Sequence, residues 1–300
     1  MAVVNYAQMY MQALQQKFAA GLSFSELYDT PNNENIKWIN AKTVQIPRIS
    51  VGGYVDVDRD VVGSFTRRAD NDWETKTLEH DREFRTLVDP MDIDETNMAL
   101  TIANITRVFN DEQKIPEMDK YAASKLFTEF SQYGGSALSD SVDVSNVLEL
   151  FDDFMAEMDD AEVPQDGRIL YVTPTMHKLL KQADKISRTI DMTGNSGAVN
   201  RNVRSLDEVK VKSVPSSRMK TAYNFTDGAI PDGSAKQIDM VLIHPLTVIT
   251  PQKYEFVDLD NPSAATGGKY LYYERKYWDL FAIEKKVPGI KIHVEATEGP

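Results

Sequence analysis

Apolar residues two apart mark the stretch from 43 to 90 as extended chain. Val44 and Ile46 are followed, past Pro47, by Ile49 and Val51, and then by Val55 and Val57. A returning arm, 74–87, places Leu78 and Phe84 on one face together with His80 and Arg82. The tip between the arms, residues 63–72 (GSFTRRADND), is polar. Period-two patterning around such a tip predicts strand, turn, strand. Of the thirty residues 56–85, nine are acidic and six basic, so half of this projection is charged. An isolated two-stranded ribbon is marginal in water, and one this long and charged calls for another subunit to complete it. Two edge strands of an ordinary sheet joined by a long loop fit the same pattern, which alone does not choose between them.

Elsewhere the period changes to that of helices. Tyr6, Met9, Tyr10, Leu14 and Phe18 lie along one side of a helix predicted over 3–19, and residues 31–33 (PNN) end that segment. After Pro90, Asp92 and Glu95 have the spacing of a carboxylate capping box. Helical spacing holds at Met98, Ile102, Ile105 and Phe109, and resumes at Ile115, Met118, Ala122, Leu126 and Phe130, with Pro116 as a break or kink. Helical character over 93–132 is too long for a small domain and suits a backbone on which other elements lie. Gly134 and Gly135 then mark the clearest internal boundary.

A helix over 144–159 (Val147, Phe151, Phe154, Met155, Met158), an apolar strand 169–172 and a second helix opened by Thr173 and Pro174 predict an α/β unit. Residues 184–206 read as polar loop. Strands are predicted at Val209 and Val211, at 240–243 and 246–249 on either side of Pro245, at 270–277 with a continuation over 280–285, and at 290–294. The last alternates cleanly, which puts Lys291 and His293 on its solvent face.

Composition narrows the function classes. The chain has 300 residues, 42% of them hydrophobic and 9% aromatic, enough for a real core. With no cysteine, disulfide and thiolate chemistry are excluded. A net charge of −13 argues against a dedicated nucleic-acid binder, although not against a wall that merely encloses nucleic acid. No apolar run has the length of a membrane helix, and the first residues lack a signal-peptide pattern, so a soluble chain made in the cytosol is expected. His80, His177, His244 and His293 show no zinc spacing. His177 reads as a surface or capping residue and His244 as a core or turn residue. Asp56, Asp58 and Asp60 alternate as a row of oxygen ligands for calcium would, but the remainder of a calcium loop is missing and a solvated edge fits better. No phosphate-binding glycine loop and no nucleophile elbow is present. No catalytic residue, cofactor or metal ligand is assigned.

In order, the elements are an arm, a charged ribbon, a long helix, an α/β unit and a β-rich return. This α+β organisation resembles the major capsid proteins of tailed bacteriophages, whose fold encapsulin shells share, over nearly the whole chain. Local blocks carry the likeness. Residues 168–180 (RILYVTPTMHKLL) resemble the family's strand-to-helix block, and 270–286 its long returning strand. Residues 206–215 (LDEVKVKSVP) resemble its valine strand ending in proline, with Glu208 where glycine is usual. The resemblance implies an N-terminal arm (1–42), an extended loop (43–90), a peripheral domain with a spine helix (91–143) and an axial domain (144–250). Return strands and a loop at the local three-fold axes (251–286) and a C-terminal strand (287–300) complete it.

It further implies a non-enzymatic virion subunit, assembled in the host cytoplasm into hexamers and pentamers around double-stranded DNA without sequence-specific binding. A portal protein and a separate scaffolding protein are implied partners; no membrane and no cofactor are. The expected intersubunit contacts are Arg59, Phe65, Arg67, Arg68, Asp70, Asp72, Trp73, Leu78 and Phe84 along the ribbon, and Asp258 and Asp260 near the three-fold loop. Two other readings stay open: an encapsulin-like cargo compartment, and a cytosolic α/β enzyme or ligand-binding protein with its site near 173–206.

Overall fold

Val44 fixes where the ribbon begins: it is fully buried, while residues 47–51 are exposed. The computed structural model describes residues 20–56, 67–95, 101–183 and 203–296. The helix expected over 3–19, Met98, the calcium-like Asp58 and Asp60, and most of the loop 184–206 lie outside these residues, as do the expected contact residues Arg59 and Phe65. After α1 (Ser25–Tyr28) and a 3-10 turn (Pro31–Asn35), a short β1 (Lys37–Trp38) pairs with β2 (Thr43–Val51). β3 (Ala69–Thr77) returns antiparallel along the whole of β2, from Thr43 opposite Thr77 to Val51 opposite Ala69. The outgoing strand therefore stops at Val51, short of Val55, and Val57 lies outside the described residues.

The expected returning arm divides in two. Strand β3 ends at Thr77, and β4 (Asp81–Val88) pairs with a strand far along the chain. Phe84 is thus not on the ribbon. Alternation is the same on both sides of a hinge, so period two cannot reveal a change of partner strand.

α2 (Pro90–Glu95) begins three residues before the expected box: the Asp89 carboxylate accepts the Met91 N–H at 3.0 Å, with proline in the first helical position. α3 (Ile102–Phe109), capped by Thr101, passes through a π-helical turn (Asn110–Lys114) into α4 (Ile115–Gln132). Pro116 neither breaks nor ends this helix. A proline ring crowds the carbonyl four residues back, and the wider π turn there takes up the misfit. α4 buries Met118, Ala122, Leu126 and Phe130 as its spacing predicts.

α5 (Val147–Asp160), β5 (Ile169–Val172) and α6 (Pro174–Gln182), the last capped by Thr173, follow as expected. β6 (Ser205–Leu206) turns tightly into β7 (Val209–Ser213) through Asp207 and Glu208, both at positive φ (46° and 67°). The turn thus survives with Glu208 in the left-handed conformation that glycine adopts at less cost. A small hairpin, β8 (Tyr223–Asn224) and β9 (Ile230–Pro231), precedes β10 (Ile238–Ile243) and β11 (Val248–Ile249). β12 (Gln252–Asp260) and β13 (Tyr270–Trp278) form a long hairpin. Of the predicted strand 280–285 only β14 (Phe281–Ala282) pairs, with β11; a 3-10 turn then leads to β15 (Ile290–Val294).

The main sheet runs β15-β10-β5-β7-β6. Ile169 and Tyr171 face one apolar cluster, with Phe24, Leu27, Leu126 and Phe130. Leu170 and Val172 face another, with Phe151, Phe154, Met158 and Leu180. Cover on both faces explains the unbroken apolar runs of β5 and β10. His293 corrects the sequence reading: it is 1% exposed, with Nε2 at 2.9 Å from the Asp140 carbonyl, because residues 138–140 cover that edge of the sheet. Its solvent-face assignment assumed an open flank. His244 is buried and caps the turn at 245–247, and His177 reaches the Val203 carbonyl. Asp119 on α4 is fully buried; it accepts the Ser23 and Phe24 N–H groups and pairs with Arg218 at 2.8 Å. One carboxylate thereby ties residues 20–28, the long helix and the β7–β8 connection together.

Candidate functional site

The β2/β3 ribbon packs its apolar root on the body, and its outer half is largely exposed. Val44 and Leu78 pack with Ile249, Tyr277 and Phe281, and burying two such side chains contributes about 1.5–3 kcal/mol each. The Tyr277 hydroxyl donates to the Leu78 carbonyl at 2.6 Å, and the Glu79 N–H donates to Asp279 at 2.9 Å. Lys76 meets Glu74 at 3.1 Å, Glu129 of α4 at 3.5 Å and the Tyr133 hydroxyl. Burial pulls the Lys76 pKa down, but Tyr133, Glu129 and Glu74 outweigh it and leave it above its ordinary value. Burial raises that of Glu129, against the pull of Lys76 and Lys125. The root is therefore cross-linked by charge to the long helix.

Register sorts the rest of the ribbon into two faces. Val44, Ile46, Arg48 and Ser50 share one with Lys76, Glu74, Asp72 and Asp70. Pro47, Ile49 and Val51 share the other with Trp73, Asn71 and Ala69. The apolar stripe changes face at Pro47. Its inner part packs on the body; its outer part has Ile49 67%, Val51 74% and Trp73 40% exposed. Lys37 stands over the Trp73 ring, 5.0 Å from its centre. Arg48 pairs with Glu284 at 2.8 Å on an exposed flank.

The four charged candidates at the ribbon's described end are engaged with backbone. Arg67 Nε donates to the Ala69 carbonyl (2.8 Å) and Arg68 to the Gly53 carbonyl (3.1 Å). Asp70 and Asp72 accept the N–H groups of Asn71 (3.0 Å) and Trp73 (2.7 Å). Leu78 is a root residue, 2% exposed, and Phe84 stacks on Phe109 of α3 at 3.8 Å in the β12-β13-β4 sheet. The structure thus brings Arg67, Arg68, Asp70, Asp72 and Trp73 together and separates Leu78 and Phe84 from them.

A second bare surface lies on β12, every residue of which is exposed. Tyr254 and Phe256 project beside Asp258 and Asp260 on one face of the sheet, and Val257 and Leu259 on the other. Asp258 also holds the Leu259 N–H at 2.8 Å. The apolar members of this strand and the Pro47–Ile49–Val51 stripe were missing from the sequence-derived site. The signal for the stripe was present as the change of alternation at Pro47.

Charge on the sheet's other flank is internally paired. A cleft of about 550 Å³ between β4, β13, the π turn and residues 226–228 is lined by Arg82, Lys114, Glu117 and Glu274. Arg82 pairs with Glu117 at 2.6 Å and Lys114 with Glu274. His80 lies beside it, stacked on Tyr121 at 3.8 Å; burial holds its pKa below the ordinary value despite Glu117 at 3.5 Å. Among the described residues no group of three His, Cys, Asp or Glu side chains is placed to hold a metal ion, and no helix is long and apolar enough to cross a membrane.

No protein-family model and no curated protein sequence matches this chain. Solved structures do. A chain from Mycobacterium phage Che8 superposes with a TM-score of 0.69 at 16% identity, over 97% of this chain and 98% of that one. The mature capsid of bacteriophage PhiM1 gives 0.65 at 13% identity over 100% and 98%. The capsid of cyanophage P-SCSP1u gives 0.70 at 10% identity over 97% and 93%. The chain has the fold of tailed-phage major capsid proteins.

Proposed function

We propose that this protein is a structural, non-enzymatic subunit of an icosahedral phage head, self-assembling into hexamers and pentamers that enclose double-stranded DNA. The observation that carries the reading is the outer half of the ribbon: an apolar stripe of Pro47, Ile49, Val51 and Trp73 that the described residues leave largely exposed, on a chain with the capsid fold. In this reading the ribbon is the extended loop and crosses a neighbouring subunit. Residues 91–143 and 251–286 form the peripheral domain, and 144–250 the axial domain. Arg59 and Phe65 are further contact candidates on the extended loop, and Asp258 and Asp260 border the three-fold loop. A portal protein and a separate scaffolding protein are the further partners, and assembly takes place in the host cytoplasm before the chain becomes part of the virion. A negative surface suits an enclosure along which DNA slides rather than binds. The similar solved structures include phage capsids, which favours a phage head over a cargo compartment.

Electron microscopy of the purified chain, with and without a co-expressed scaffold, tests the reading. Closed shells are expected. Small discrete oligomers under every assembly condition would refute it.

A further inference from the structure

The bonds that continue the ribbon's ladder fix which of its backbone groups point outward. Gly52 N–H donates to the Arg68 carbonyl at 2.7 Å and Leu78 N–H to the Lys42 carbonyl at 2.8 Å, whereas Ile39 N–H reaches Thr43 at 3.0 Å from the β1 side. Partners alternate along an antiparallel strand. Even-numbered residues of β2 and β3 therefore bond each other, and odd-numbered ones point to the two edges. β1 covers the β2 edge only as far as Gln45. Beyond it, the β2 edge presents Pro47, which has no N–H, and Ile49, whose carbonyl accepts Lys285 Nζ at 2.9 Å. On the β3 edge the Ala69 carbonyl is taken by Arg67, the Asn71 N–H by Asp70 and the Trp73 N–H by Asp72. Every outward position from 47 to 49 and from 69 to 73 has a backbone group missing or occupied.

Unpaired edges invite strand addition by another chain, and the nearest supply is the same edge on a second copy. We propose that Pro47, Arg67, Asp70, Asp72 and Lys285, each removing one outward backbone group, weaken edge-to-edge pairing with other ribbons and so favour contact through the Ile49–Trp73 face. The capping bonds, rather than charge alone, carry the effect. This inference rests on the ladder and is independent of the shell reading.

Two paired variants separate capping from charge, studied below the concentration at which the native chain assembles. Asp70→Val with Asp72→Val removes charge and acceptor; Asp70→Asn with Asp72→Asn removes charge and keeps an acceptor oxygen. Sedimentation velocity and negative-stain microscopy read the outcome, since edge pairing gives open, fibrous assemblies rather than closed shells. The valine pair should associate at a concentration about tenfold lower than native, from the two N–H groups it frees. The asparagine pair should stay close to native. Equal association of both pairs, or native behaviour of the valine pair, overturns the proposal. Pro47→Val, which restores an edge N–H, should also promote association, and its silence counts against the proposal. Native-state hydrogen exchange adds a reading that needs no variant to fold: the Asn71 and Trp73 amides should exchange about tenfold more slowly than in an unstructured chain, and unprotected amides there refute capping.

Discussion

Replacing Ile49 and Val51 together by serine should raise the concentration needed for assembly without touching the fold. Full burial of an aliphatic side chain of this size contributes about 1.5–3 kcal/mol. Ile49 retains 67% and Val51 74% of its exposure in the single chain. Covering them against a neighbour therefore recovers about 1–2 kcal/mol each, or about 2–4 kcal/mol per subunit. At about 1.4 kcal/mol per tenfold, the assembly threshold should rise by between one and a half and three decades, roughly 30- to 700-fold. Because both residues are exposed, thermal unfolding of the unassembled chain should change by no more than about 0.5 kcal/mol. Light scattering over a concentration series gives the threshold, and calorimetry the control. Val44→Ser is the contrasting variant: fully buried at the root, it should destabilise folding itself. An Ile49/Val51 double variant that assembles within a few-fold of native, with unchanged stability, would show that the stripe is not an interface.

Three further outcomes test the body that holds the ribbon. Asp119→Ala strands the buried Arg218 guanidinium and the Ser23 and Phe24 N–H groups, and should cost about 3–5 kcal/mol in chemical unfolding. Arg168→Lys keeps the charge but loses a fork that reaches Pro164, Val163 and Asp159 from a site 1% exposed; a loss of about 2 kcal/mol is expected from the unpaired carbonyls. His80 has a folded pKa below its unfolded value of about 6.5, chiefly through burial. The unfolded chain then binds more protons, so stability should fall as pH drops below about 6.5 and level off under the folded pKa. His80→Phe should flatten that part of the stability–pH curve, and an unchanged slope would remove His80 as its source.

Residues whose environment is local were the legible ones. Phe151, Phe154 and Met158 gave the helix face at 147–160, and Thr173-Pro174 gave the next helix start, because caps and periodicity act within one element. Long-range pairing was not legible. β4 has the alternation of a ribbon arm, yet its partner β13 lies some two hundred residues away in sequence. His293 sits on an alternating strand whose flank is covered by residues 138–140, which nothing local announces. Pro116 was legible as a disturbance but not as a π turn, since the helix absorbs it through one widened turn. Of the candidate interface, Trp73 and the charged ribbon end could be read directly. The backbone hydrogen bonds of Asp70 and Asp72 could not, because they depend on which N–H groups the register turns outward.

The most direct measurement is a density map of the assembled particle at side-chain resolution. Strands 43–51 and 69–77 should lie across a neighbouring subunit, with Ile49, Val51 and Trp73 buried against it and the ribbon edges unpaired. A map in which those three side chains face solvent, or in which ribbons join edge to edge, contradicts the account.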